Sequence, residues 1–118
     1  MKFEDLLLRR NLVDSFHRFY YDSQVLGKTW TGTYWMGRRV LKCPLDLWIY
    51  QEIIFELTPD IIIETGTANG ASALYLASMC DIVGKGRVIT IDVDVQDNRP
   101  EHSRIEYVHG SSTSEPVL

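Results

Sequence analysis

The stretch Asp60-Ile-Ile-Ile-Glu-Thr-Gly-Thr-Ala-Asn-Gly-Ala-Ser72 constrains this chain more than any other. Ile61, Ile62 and Ile63 form a β-branched run between Pro59 and Gly66, which reads as a short strand buried on both faces, as in a parallel sheet. The run ends in Glu64, and a turn carrying Gly66 and Gly70 follows. Ala71, Ala73, Leu74, Leu76, Ala77 and Met79 then favour a helix. Strand, glycine turn and helix make the first half of a βαβ unit, which binds small molecules at the carboxyl ends of its strands. A second strand, Arg87 to Asp92, ends in another acid. Asp92 follows Gly70 by about 20 residues, the spacing at which an acid meets ribose hydroxyls in nucleoside-binding α/β folds. The fold class is α/β, with a doubly wound parallel sheet.

The rest of the chain frames this unit. From Phe3 to about Tyr21, Leu6, Leu7, Val13, Phe16, Phe19 and Tyr20 recur near a 3.6 period. This pattern fits a packing helix that covers one side of the domain, or a helix that meets a partner or a second copy. Gln24 to Lys42 interleaves Gly27, Gly32 and Gly37 with Trp30, Tyr34, Trp35 and Met36. So aromatic a segment is an ordered loop or short hairpin rather than disorder, and it either packs or closes as a lid over a pocket. Pro44 opens a helix over about Leu45 to Leu57, with Asp46 at the positive end of its dipole. Thr58-Pro59 ends it. Gly84-Lys-Gly86 turns the chain into the second strand. Arg104 to His109 alternates as a third strand, and Gly110 to Ser114 is a turn at its carboxyl end. Residues 1–58 thus form a segment of helices and aromatic loop, and residues 59–118 a cofactor-binding half-domain.

Composition narrows the function. With 118 residues there is room for one small domain. A net charge of -4 without a basic stripe excludes a general nucleic-acid binder. Met1 to Asp5 lacks a signal-peptide pattern and no apolar run approaches the ~20 residues of a membrane span, so a cytoplasmic protein is expected. Cys43 and Cys80 read as reduced, partly buried thiols. His17, His102 and His109 have no partner at metal-ligand spacing and read as surface or satisfied histidines. Asp92-Val-Asp94 lacks the glycine and closing glutamate of a calcium loop.

The glycine turn carries the chemistry. A dinucleotide site needs G-x-G-x-x-G, and here Ala68 and Ala71 stand at the third and sixth positions. No Gly-Lys-Ser/Thr follows, so a phosphate loop is absent. A nucleoside ligand without phosphate suits this turn better. S-adenosylmethionine is such a ligand: Glu64, the open turn and Asp92 match its amino-acid end, sulfonium and ribose. The alternatives are a βα packing turn that binds nothing and, more weakly, an NAD-dependent dehydrogenase.

Glu64-x-Gly66-x-x-x-Gly70-x-Ser72-Ala73 resembles motif I of class I S-adenosylmethionine-dependent methyltransferases. Lys42-Cys-Pro-Leu-Asp-Leu-Trp-Ile-Tyr-Gln-Glu52, Pro59 to Gly70, Arg99-Pro-Glu-His102 and Gly110-Ser-Ser-Thr113, in that order, resemble the cephalosporin hydroxylase and rhamnosyl O-methyltransferase-like family. The resemblance covers about residues 30 to 118. It implies a Rossmann-like methyltransferase fold acting on a hydroxyl of a small molecule or sugar, with S-adenosylmethionine and, in full-length relatives, a divalent metal such as Mg²⁺. It also implies roles. Glu64 would sit near the methionine amino group, and Gly66, Thr67 and Gly70 would close the backbone on the methionine portion. Ser72 would bond the carboxylate at a helix N-terminus. Asp92 would accept from the ribose, and Gly110 and Ser112 would lie by the adenine. For Ser72 and Ser112, a helix cap and simple turn chemistry are the alternatives.

The family pattern continues past the third strand, and a complete seven-stranded domain needs about 200 residues at ~30 per βα step. This chain is therefore expected to be the N-terminal half of the fold, with metal-binding acids, general base and acceptor residues elsewhere. Its first strand would be left as a bare apolar edge, prone to self-association or pairing with a completing polypeptide. A non-catalytic binding remnant of the fold is the alternative to an enzyme fragment.

Overall fold

The computed structural model describes residues 2–22, 27 and 29–114. Parts of the expected aromatic loop, Gln24 to Leu26 and Lys28, lie outside the described residues, as do residues 115–118 of the expected carboxyl end. The elements are α1 (Phe3–Tyr21), a 3-10 turn (Thr29–Thr31), β1 (Tyr34–Trp35), β2 (Arg38–Arg39), α2 (Pro44–Leu57), β3 (Ile61–Thr65), α3 (Ala71–Val83), β4 (Arg87–Asp92) and β5 (Ile105–His109). The third strand opens at Ile105 rather than Arg104, whose side chain reaches Asp81 and the Gly86 carbonyl.

The three longer strands make a parallel sheet in the order β3-β4-β5. Ile62 pairs with Val88 and Val88 with Ile105, so these three share a face. α3 lies on that face, and α2 packs on α3. The core there joins Val40, Leu47 and Ile54 to Ala73, Tyr75, Ala77 and Val88. One core thus draws on both sides of residue 58, and the Tyr75 hydroxyl donates to the Leu47 carbonyl across it.

The opposite face is open along β3, although Ile91 of β4 on that face is buried. Ile61 and Ile63 are 46% and 67% exposed, which corrects the expectation of a strand buried on both faces. Two causes combine. Both packed helices lie on the other side, and β3 is an edge strand of the three-stranded sheet. The β-branched run signalled a strand meant for two covers, and these residues supply one.

α1 also departs from expectation. None of its residues is buried, and Phe3, Leu6, Leu7, Leu12, Val13, Phe16 and Phe19 are all exposed. It touches the 3-10 turn, with Tyr20 Oη 3.3 Å from Thr33 Oγ1. It does not cover a side of the domain. Its apolar residues are spread widely round the helix, and only Tyr20 is half-buried.

Residues 34–39 of the aromatic segment form a hairpin. Tyr34 pairs with Arg39 and Trp35 with Arg38. Met36 and Gly37 between them both have positive φ, 47° and 79°, as a two-residue turn matching the strand twist requires. Trp35 packs edge-on against Tyr75 at 5.0 Å, and its indole N–H donates to Ser78 Oγ at 3.4 Å. It seals the helix layer rather than closing over a pocket. Both cysteines are free and buried. At the end of the sheet opposite the glycine turn, His102 Nε2 and Arg104 Nε meet Asp81 at 2.9 and 2.6 Å, so His102 is a satisfied histidine.

Candidate functional site

All three strands run the same way, so their carboxyl ends gather Glu64, Asp92 and Gly110 at one end of the sheet. The turn from β3 to α3 closes over this end. Gly66, at φ 86°, donates its N–H to the Ile91 carbonyl at 2.8 Å. Gly110 donates likewise to the Asp92 carbonyl at 2.9 Å. The structure therefore brings Glu64, Gly66, Thr67, Gly70, Ser72, Asp92 and Gly110 together. Ser112 lies exposed two residues further on.

Glu64 is buried, and each of its oxygens holds a hydroxyl. Ser72 Oγ donates to Oε2 at 2.5 Å and Thr90 Oγ1 to Oε1 at 2.8 Å. Thr90 in turn meets Thr67 Oγ1 at 2.7 Å. A carboxylate oxygen has two lone pairs, so each Glu64 oxygen retains acceptor capacity for a cation. Thr67 as a whole is 1% exposed: its hydroxyl meets Thr90 and its carbonyl accepts the Gly70 N–H at 2.8 Å, so it shapes the turn from within. Ser72 ties α3 to the end of β3. The N-cap of α3 is Gly70, without a capping side chain, and Asn69 Oδ1 just before it accepts the Ala71 N–H at 3.1 Å.

Gly70 cannot be another residue here. Its φ is 76°, and a Cβ would lie 2.8 Å from Pro100 Cδ and 2.9 Å from the Tyr107 hydroxyl. The loop after β4 packs directly onto the turn, and the missing side chain makes room for it.

Asp92 anchors the turn. Oδ2 accepts the Ala68 N–H at 2.8 Å and Oδ1 the Asp94 N–H at 3.0 Å. Arg99 Nη2 lies 3.7 Å from Oδ2. The N–H groups of Asp94 and Ala68, then the Arg99 guanidinium and the Thr67 N–H, hold this carboxyl below the usual carboxylate range against the opposing effect of burial. These bonds enlarge the role expected for Asp92. It was expected to receive ribose hydroxyls. It also secures the turn that would receive the rest of the ligand, through Thr67, Ala68 and Asp94.

Asp92→Ala is therefore expected to cost stability as well as ligand. Losing hydrogen bonds to a charged group costs about 1.5–3 kcal/mol, visible as a lower urea midpoint at pH 7. The Asp92 carboxyl is depressed in the folded chain. Its contribution is therefore present above the unfolded value of about 3.9 and fades as pH falls through the folded value. The gap between wild type and variant should narrow at pH 3. An equal gap at both pH values would show that the carboxylate is not the anchor.

Three residues of this corner carried no role on sequence grounds. Arg99 was legible as part of a polar loop and of the Arg99 to His102 block that carries the resemblance, Thr90 as one more strand residue and Tyr107 as part of an alternating pattern. Alternation places Thr90 and Tyr107 on the same face as Glu64 and Asp92, through the pairs Glu64–Thr90–Tyr107. That register is the signal that finds them. Among the described residues, no three His, Cys, Asp or Glu side chains cluster to hold a metal ion, and no helix is long and apolar enough to cross a membrane.

Residues 27–118 match the family model described as Rhamnosyl O-methyltransferase/CmcI. The chain belongs to the rhamnosyl O-methyltransferase/CmcI family. The rhamnosyl O-methyltransferase of Mycobacterium leprae (strain TN) is 33% identical over 110 residues, 91% of this chain and 46% of the relative. That of Mycobacterium tuberculosis (strain ATCC 25618 / H37Rv) is 34% identical over 110 residues, 90% of this chain and 43% of the relative. A solved structure described as "cmcI-N160 SAH" superposes with a TM-score of 0.64 at 31% identity, over 72% of this chain and 46% of that one. Another, "cmcI-D160 Mg-SAM", gives 0.65 at 27% identity, over 74% and 39%. The three-stranded parallel sheet with its helices is thus the N-terminal half of the CmcI fold. The chain spans a little under half the length of the curated relatives that it matches.

Proposed function

We propose that this chain carries the cofactor-binding half of an S-adenosylmethionine-dependent O-methyltransferase that acts on a hydroxyl of a small molecule or sugar. The observation that carries the proposal is the corner where Glu64, Ser72, Asp92 and Gly110 meet a turn that bears alanines at 68 and 71. That corner has acceptors for an ammonium and for ribose hydroxyls, and it lacks the glycine spacing that a pyrophosphate requires. S-adenosylmethionine supplies an activated methyl group on a sulfonium. This chain's own residues bind and orient. Glu64 receives the amino group on the lone pairs that Ser72 and Thr90 leave. The backbone of Gly66, Thr67 and Gly70 closes on the methionine portion. The remaining acceptor capacity of Asp92 takes the ribose, and Gly110 with Ser112 borders the adenine. The relatives named as rhamnosyl O-methyltransferases support a sugar-like acceptor. The relative described as Mg-SAM supports Mg²⁺, held in the whole protein by acids outside this chain. A cytoplasmic setting fits such chemistry.

Calorimetric titration tests the cofactor. S-adenosylhomocysteine is expected to bind this chain, or a full-length relative with the same corner, and NAD to give no heat. Tight NAD binding without a response to S-adenosylhomocysteine would overturn the reading in favour of an oxidoreductase.

A further inference from the structure

The loop between β4 and β5 does more than connect two strands. Arg99 reaches back from it, with only 10% of its side chain exposed. Its Nε donates to the Ala68 carbonyl at 2.9 Å, and Nη2 donates to the Asp94 carbonyl at 2.9 Å. The guanidinium lies 5.6 Å from the centroid of the Tyr107 ring. The Tyr107 hydroxyl in turn donates to the Pro100 carbonyl at 2.7 Å, which fixes the residue beside Arg99. Ala68 is thus gripped on both sides, by Asp92 at its N–H and by Arg99 at its carbonyl. Ala68 needs that grip. Its φ is 47°, a left-handed conformation that is unfavourable for a residue with a Cβ and persists only where the surroundings over-determine it.

We propose that Arg99 is the positioning residue of the cofactor turn, holding the left-handed Ala68 peptide against Asp92 so that the turn is shaped before any ligand arrives. The two donors used, Nε and Nη2, come from one rigid planar group. A lysine has a single ammonium on a flexible stem and cannot span the Ala68 and Asp94 carbonyls in that way. Glycine at 68 would reach the same conformation without a grip. The proposal concerns the shape of the turn. It rests on the cofactor reading only for what the turn receives.

Hydrogen exchange read by mass spectrometry on the 118-residue chain tests it, because peptides spanning Thr67 to Ala71 report the turn at low concentration. Arg99→Gln is expected to speed exchange in that segment about tenfold or more, and Arg99→Lys to leave it fast. In an Ala68→Gly background the same Arg99→Gln change is expected to have a smaller effect, because the strain it restrains is gone. A general packing role would give equal effects in both backgrounds and partial rescue by lysine. That result, or unchanged exchange in Arg99→Gln, overturns the proposal. If Arg99→Gln fails to fold, the Ala68→Gly/Arg99→Gln chain is expected to fold, and its failure too would count against the proposal. Titration of the wild-type chain and a full-length relative with S-adenosylhomocysteine separates the two readings. No binding by either, alongside an Arg99-dependent turn, would sink the cofactor reading and leave this one standing.

Discussion

Gly70→Ala is expected to destabilise the fold by about 2–5 kcal/mol, a large part of the roughly 5–15 kcal/mol that keeps a domain folded. Two costs add. A residue with a Cβ at φ 76° loses about 1–2 kcal/mol to left-handed strain. Forcing an extra carbon into a packed site costs about 1–3 kcal/mol more, because the new Cβ would sit 2.8 Å from Pro100 Cδ and 2.9 Å from the Tyr107 hydroxyl. Pro100 is buried and the tyrosine is bonded to its carbonyl, so neither yields easily. Gly84→Ala is the control. It has the same φ of 76° with nothing within 4 Å of a new Cβ, so it should lose the strain alone. Urea unfolding of the two variants side by side reads the difference. Equal midpoints would mean that the loop after β4 does not press on the turn.

The second large effect concerns the uncovered sheet. The isolated 118-residue polypeptide is expected to self-associate and to transfer no methyl group. Ile61, Ile63, Ile89 and Ile91 share the face opposite the helices, through the pairs Ile61–Arg87, Ile63–Ile89 and Thr65–Ile91. The first two isoleucines stand 46% and 67% exposed. The edge of β3 beside them carries backbone groups ready to pair with another strand. A groove of about 380 Å³ runs along β3 between Tyr50, Ile53 and Ile54 of α2 and Ile62, Ile63 and Thr65. Removing apolar surface of this kind from water favours association by about 25 cal/mol per Å², against the entropy lost on joining two chains. Sedimentation velocity should show species heavier than the monomer, and Ile63→Lys should shift them toward monomer by placing a charge on the strand. A compact wild-type monomer that methylates an acceptor unaided would refute this expectation.

Much of this architecture was legible because it is written locally. Pro44 marked the start of α2, and the pair Gly66 and Gly70 marked the turn. The strand from Arg87 to Asp92 was found to the residue, since β-branched runs and turn residues act over a few positions. Burial was less legible. The Ile61–Ile63 run shows what a strand can bury, while what covers it is decided by segments far away in the chain. α1 failed as a packing helix for the same reason: a helical period says that apolar residues recur, not that anything faces them. At the carboxyl ends of the strands, Glu64 and Asp92 lie where residue type and position put them. Their partners Arg99, Thr90 and Tyr107 carried no role on those grounds, because each acts across the sheet register or from a loop. The bonds they make join residues such as 68 and 99, which no window of sequence brings together.

The hairpin of β1 and β2 is held to the same corner from its other side. Asn69 Nδ2 donates to the Arg39 carbonyl at 2.9 Å, and Arg38 Nη1 to the Asn98 carbonyl at 2.8 Å, a bond between residues 60 positions apart. A polypeptide is made from its amino end, so the hairpin's acceptor is synthesised long after the hairpin itself. The two short strands, only two residues each, can draw on Asn69, Tyr75 and Ser78 once α3 is made, but gain the Asn98 acceptor only when the loop before β5 has appeared. Long-range closures of this kind are slow relative to local ones. The Arg38–Asn98 bond should therefore close late in folding, after the β3–β4 pairing, and strap the hairpin to the loop beside the glycine turn last.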